Sequence, residues 1–180
     1  MKLFFNSAEI CEICELKRIF DLAMAWCLLC FLSVPIFVVG LMVRLTSEGP
    51  ALYWSDRVGI NNGRFRMPKF RTMRVDTPAV ATHLMKNPDA YLTPIGSFLR
   101  KFSLDEWPQL YSILKGDISF VGPRPALFNQ DDLVGLRTGK GIHKLIPGIT
   151  GWAQVNGYSD AFRHQKRTYL DLYPRHGLYE

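Results

Sequence analysis

SLDEWPQLYSILKGDISFVGPRP, residues 103–125, is the stretch on which the reading of this chain turns. Asp105 and Glu106 are adjacent carboxylates at a predicted helix start, and Arg124 stands between Pro123 and Pro125, 19 residues after Asp105. Carboxylates at a helix N-terminus sit beside backbone N–H groups with no intrahelical partner and the positive end of the helix dipole. That setting suits a metal ion, a phosphate, or a carboxylate that must stay ionised to attack. The same residues also admit a purely structural reading. Ser103 followed three residues later by Glu106 is a capping box, which needs no chemistry. The spacing predicts a helix from Ser103 to about Lys115, closed by Gly116 just past its end. Leu104, Trp107, Leu110, Tyr111 and Leu114 keep helical spacing and give that helix a buried or membrane-facing side. Pro108, in the second turn, predicts a local distortion.

Working upstream, Thr93-Pro94 reads as the N-cap and first residue of a helix reaching about Phe102. Thr77–Lys86 reads as a weak helix. Ala51–Val58 and Arg64–Met73 are strand-like and separated by Asn61-Asn62-Gly63, a hairpin turn signal. Pro68 restricts the second strand to a sheet edge or a bulge. Lys69 and Arg71 fall on one face of that strand, where they suit a phosphorylated substrate and a lipid headgroup equally. Downstream, the glycine-rich stretch Pro147–Gly157 reads as a loop.

Leu22–Val43 is a run of 22 residues without a charge. As a straight helix it is about 33 Å long, enough to cross a hydrocarbon core of about 30 Å. Two features favour entry and exit by one face instead. Ser33 and Pro35 lie near its centre, where proline removes a backbone hydrogen bond and serine can bond back to the preceding turn. Basic residues also flank both ends, Lys17 and Arg18 before and Arg44 after, so charge assigns neither end to the outside. A cleaved signal peptide is not expected, because no small-residue cleavage site precedes the downstream motifs.

The chain of 180 residues has room for one domain, and its net charge of +6 suits anionic lipid, phosphorylated substrates or nucleic acid. Nucleic acid is excluded by the lack of RNA-binding signatures, zinc-finger spacings and a long basic tail. The four cysteines form two C-x-x-C pairs, Cys11/Cys14 and Cys27/Cys30. The second pair lies inside the apolar run, where cysteine behaves as a small hydrophobe, so a four-ligand zinc site is not expected. Free thiols agree with a reducing cytoplasm. The histidines at 83, 143, 164 and 176 have no metal-type spacing.

KRIFD at 17–21, PKFRTM at 68–73, SLDEWPQL, LKGDISFVGPRP and PGITGWAQVNG at 147–157 resemble, in order and spacing, the small monotopic phosphoglycosyl transferases of the bacterial sugar transferase family. The resemblance runs from about Lys17 to about Tyr173. It implies transfer of a sugar 1-phosphate from a UDP-sugar to polyprenol (undecaprenyl) phosphate, with release of UMP, at the start of glycoconjugate synthesis. It implies Asp105 as the nucleophile, forming a covalent phospho-sugar intermediate, with Glu106 beside it as a proton acceptor or metal ligand. Mg²⁺ is the implied cofactor, held by Asp105 and Glu106 with phosphate oxygens. Arg100 and Arg124, with Lys69 and Arg71, become phosphate-binding candidates, and Gly148, Gly151, Trp152 and Gln154 candidates for the nucleotide pocket. A guanidinium pre-set by flanking prolines suits bidentate phosphate recognition.

The expected architecture is a small, helix-rich α/β domain on the membrane surface with an N-terminal re-entrant helix hairpin broken at Ser33 and Pro35. Residues 1–16 form an N-terminal segment, 17–45 the re-entrant helix and 46–180 a cytoplasmic catalytic domain. The resemblance places the chain as a monotopic protein on the cytoplasmic face of the bacterial inner membrane. Its expected partners are a UDP-sugar, polyprenol phosphate and membrane lipid, and a homodimer is a candidate assembly. Two other readings stay open. A membrane-anchored hydrolase using the same carboxylates would consume substrate without a polyprenol acceptor. A non-catalytic inner-leaflet adaptor would be indifferent to loss of Asp105.

Overall fold

A computed structural model describes residues 7–77, 88–151 and 155. The chain forms a small, helix-rich α/β domain preceded by one long apolar helix, α1 (Ser7–Thr46). Five short strands follow, β1 (Leu52–Val58), β2 (Arg64–Phe70), β3 (Ser119–Val121), β4 (Ala126–Leu127) and β5 (Gly148–Thr150). Among the described residues three short α-helices, α2 (Gly96–Lys101), α3 (Leu110–Lys115) and α4 (Asp131–Gly139), and several 3₁₀ turns complete the fold.

The stretch Cys14–Thr46 of α1 is long and apolar enough to cross a membrane. Its helical backbone runs through Ser33 and Pro35 without interruption. The expected break is therefore not a non-helical joint between two helices. Helical geometry continues on both sides because only one backbone bond is lost at a proline. Ser33 Oγ donates to the Cys30 carbonyl at 2.9 Å, the local back-bond that its position predicts.

Both ends of α1 are held to the same globular body. Near the start, Lys17 Nζ donates to Ser119 Oγ at 2.7 Å, and Arg18 donates to the carbonyls of Ile113 and Leu114 at 2.7 and 2.9 Å. These are carbonyls of the last turn of α3, at the negative end of its dipole, and that of Ile113 also accepts from the Gly116 amide. Asp21, buried, accepts from the Phe120 amide at 3.2 Å. Ala25 then packs with Met67, Leu110, Ile113 and Ile118. Near the other end, Val39 and Val43 pack with Phe70 and Leu99. The opposite side stays bare, with Phe31 82%, Val34 69% and Phe37 72% exposed. One side of α1 thus supplies one wall of both hydrophobic clusters, and the bare side is apolar as well.

β1 and β2 form the predicted hairpin, antiparallel, with Leu52 opposite Phe70 and Val58 opposite Arg64. Asn61 and Asn62 take the left-handed conformation at φ 52° and 60°, which asparagine tolerates better than most residues. β4 pairs with the other edge of β1 in the order β2-β1-β4, so Pro68 does lie on an edge strand. The expected helix from Thr93 starts later, at Gly96, because Thr93 bonds across to the Thr72 carbonyl rather than capping. Most of Thr77–Lys86 lies outside the described residues.

Part of the glycine-rich stretch read as a loop is in fact β5, paired parallel with β3. The Gly122 amide donates to the Thr150 carbonyl at 2.9 Å and the Gly148 amide to the Pro123 carbonyl at 3.0 Å. At Gly148 a Cβ would overlap the Gly122 backbone, so the crossing requires glycine there.

Candidate active site

The segment from Ser103 departs from the predicted single helix. Ser103 is left-handed (φ 54°, ψ 25°) and makes no side-chain cap bond. Leu104–Gln109 is a 3₁₀ helix, and α3 begins only at Leu110. Pro108 has no amide to give an α-helical ladder, so the tighter turn precedes the regular helix. Gly116 closes α3 in the left-handed conformation at φ 97°, as predicted. The capping box is not formed. Asp105 consequently lies on a 3₁₀ turn, not at the second position of an α-helix.

Glu106 instead faces two cations. Its Oε1 accepts from Lys69 Nζ at 3.0 Å and from Arg124 Nη2 at 3.4 Å. Lys69 arrives from β2 and Arg124 from the turn between β3 and β4, so Glu106 joins segments far apart in sequence. Burial alone would raise the Glu106 pKa, but Lys69 and Arg124 together outweigh it and hold the carboxyl below its ordinary value. Burial dominates at Lys69, lowering its pKa against the pull of Glu106, with Arg57 and Arg124 adding to the downward shift.

Asp105 differs from its neighbour. Burial raises its pKa and the adjacent Glu106 adds to the rise, while Lys69 and Arg100 oppose it. Two consecutive carboxylates are thereby pushed in opposite directions. Glu106 is firmly ionised and engaged with cations, and Asp105 is partly stripped of water and more basic than an ordinary aspartate.

Both carboxylates line a cavity of about 790 Å³. Lys69, Arg71, Arg100 and Arg124 line the same cavity. Arg100 Nε donates to Thr72 Oγ1 at 3.0 Å, which fixes the guanidinium beside Asp105. Gly148 is not among the lining residues; it belongs to the β3–β5 crossing, where close backbone contact explains it. Trp152 and Gln154 lie outside the described residues. Arg57 on β1 and Arg137 on α4 also line the cavity and were not singled out from sequence, where neither stands in a distinctive motif.

Among the described residues no cluster of three or more His, Cys, Asp or Glu could hold a metal. The cavity offers a pair of hard carboxylate donors instead. That set fits Mg²⁺, which keeps several waters and takes one or two carboxylates together with substrate phosphates. It does not fit zinc, which wants four converging protein ligands or three and a water. Cys14, Cys27 and Cys30 are free thiols exposed on α1.

The electrostatics give a signed expectation. If activity requires ionised Asp105, the acid limb of kcat/KM falls above the ordinary aspartate range, because burial raises its pKa. Lys69 opposes that rise, so Lys69→Met moves the limb to still higher pH. A pH–rate profile of both proteins checks this, and an unmoved or acid-shifted limb contradicts it.

A family model described as bacterial sugar transferase matches residues 13–176. The chain is 43% identical over 161 residues to an uncharacterized sugar transferase, EpsL, of Bacillus subtilis (strain 168), covering 88% of this chain and 76% of that protein. It is 38% identical over 164 residues to UDP-glucose:undecaprenyl-phosphate glucose-1-phosphate transferase of Escherichia coli (strain K12), covering 87% of this chain and 35% of that protein. It is 33% identical over 147 residues to UDP-N-acetylgalactosamine-undecaprenyl-phosphate N-acetylgalactosaminephosphotransferase of Aeromonas hydrophila, covering 80% and 35%. The chain therefore spans about a third of the length of the latter two relatives.

Proposed function

Because the chain belongs to the bacterial sugar transferase family, and is thus an enzyme, we propose that it moves a sugar 1-phosphate from a UDP-sugar to undecaprenyl phosphate and releases UMP. The observation that carries the reading is the meeting of Asp105 with Lys69, Arg100 and Arg124 around one cavity. A diphosphate needs several cationic hydrogen-bond donors, and a nucleophile directed at phosphorus must be held among them. The E. coli and Aeromonas relatives carry undecaprenyl phosphate in their names, with glucose in one and N-acetylgalactosamine in the other.

In the first step an Asp105 carboxylate oxygen attacks the β-phosphorus. The bond from that phosphorus to the bridging oxygen breaks, and the oxygen leaves with its electron pair on UMP. In the second step a phosphate oxygen of undecaprenyl phosphate attacks the same phosphorus and returns the Asp105 carboxylate. Burial makes Asp105 more nucleophilic, and Lys69 and Arg100 favour its ionised form. Glu106, committed to Lys69 and Arg124, orients those cations and is a poor proton acceptor. Mg²⁺, held by Asp105 and Glu106, would neutralise charge on the diphosphate. Arg100 and Arg124 hold phosphate oxygens. Incubation with a panel of UDP-sugars, with and without undecaprenyl phosphate, tests the function by UMP release. Continuous turnover without the acceptor would favour a hydrolase instead.

The same reading puts α1 in one leaflet of the membrane, re-entrant, with both ends on the cytoplasmic face. Lys17, Arg18 and Asp21 at one end and Val39 and Val43 at the other all meet the globular body, so a span would force that body through the bilayer. In a cysteine-free background, single cysteines at positions 2 and 60 are both expected to resist an impermeant thiol reagent in intact cells. Labelling of one of them alone would establish a span.

A further inference from the structure

Pro123, Arg124 and Pro125 form a segment with a single backbone N–H, because neither proline has one. Such a segment must be registered mainly through its carbonyls. All three are taken, each by a different element. The Pro123 carbonyl accepts from the Gly148 amide of β5 at 3.0 Å. The Arg124 carbonyl accepts from Arg137 Nη1 of α4 at 2.8 Å. The Pro125 carbonyl accepts from Arg57 Nη1 of β1 at 3.2 Å, and Arg57 is itself braced by Nε donating to the buried Ser55 hydroxyl at 3.0 Å. Charged donors make the stronger kind of hydrogen bond.

Two long side chains are thus used on backbone carbonyls at the wall of the cavity that Arg124 shares with Glu106. Pro123 and Pro125 are buried and Arg124 is half-buried, so these carbonyls need partners, and two of them take charged side chains. We propose that Arg57 and Arg137 are positioning residues that fix the backbone of residues 123–125 from opposite elements and so aim the Arg124 guanidinium at the substrate diphosphate. The inference rests on the reading of Arg124 as a phosphate-binding residue. One N–H suffices for the Arg124 carbonyl, so a lysine can stand in for Arg137 there, whereas Arg57 also donates to Ser55. Arg124 needs its planar fork and cannot be replaced so.

The test is a double-mutant cycle on kcat/KM for UMP release, with thermal unfolding as the check on folding. Arg137→Met is expected to cost about ten-fold, the scale of one lost charge-assisted hydrogen bond. Arg137→Lys is expected to recover most of that loss. Arg124→Lys impairs the enzyme by itself, and Arg137→Met added to it costs little more, because the group it aimed is gone. Arg57→Met carries the same cycle through Pro125 should Arg137→Met fail to fold. A full ten-fold further loss on the impaired Arg124→Lys background overturns the positioning role alone. Normal turnover of Arg124→Lys removes the phosphate reading of Arg124, and this inference with it.

Discussion

Asp105→Asn is expected to abolish both the burst of UMP and the covalent adduct. Without acceptor, the wild-type enzyme given UDP-sugar and Mg²⁺ is expected to release about one UMP per active site and gain one sugar phosphate in mass, as a two-step exchange requires. The asparagine keeps the size of the side chain but has no anionic oxygen to attack phosphorus, and turnover falls by roughly 10³-fold or more, as for other nucleophile deletions. Glu106→Gln behaves differently. It leaves Lys69 and Arg124 without their shared anion, so turnover slows while the adduct still forms. Intact-protein mass spectrometry separates the two variants. If the wild-type enzyme shows no adduct, and UMP appears only when undecaprenyl phosphate is present, transfer is direct and Asp105 is a metal ligand.

Gly148→Ala is expected to act through the fold. The added methyl would overlap the backbone of Gly122, which has no rotamer by which to move away. Overpacking costs about 1–3 kcal/mol, and an obstructing backbone puts this case at the upper end. For a protein of this size that corresponds to a melting point lower by roughly 5–10 °C. The β3–β5 pairing would loosen and release the Pro123 carbonyl that Gly148 holds. A variant with wild-type melting and only a raised KM for the UDP-sugar would return Gly148 to the nucleotide pocket.

The residues most legible in the sequence were those whose chemistry is local. Adjacent acids, an arginine between prolines, the Asn-Asn-Gly turn and the glycine after Lys115 each carry their meaning within a few positions. What the sequence concealed was set by distant partners. Ser103 and Glu106 satisfy the capping-box pattern, yet Glu106 is drawn away by cations from β2 and from the turn before β4. Thr93 has the right neighbour for a cap and bonds to Thr72 instead. The glycines near residue 148 look like loop chemistry until Gly122 arrives opposite them. Lys17 and Arg18 read as flanking charges of a membrane segment, but their donors go to Ser119 and to the end of α3. Arg57 and Arg137 stand in no pattern at all. Each donates to a backbone carbonyl of residues 124–125, a contact that leaves no mark in side-chain identity.

The double attachment of α1 also bears on how the protein comes into being. α1 precedes every other described element, so it is synthesised before the segments that pack on it. Ala25, Val39 and Val43 are walls of the two clusters that the later segments must close, so those segments have no complete interior of their own to collapse around. Completion of the globular body and docking of α1 are then a single event. A copy whose α1 is not docked on the later segments would lack a finished interior.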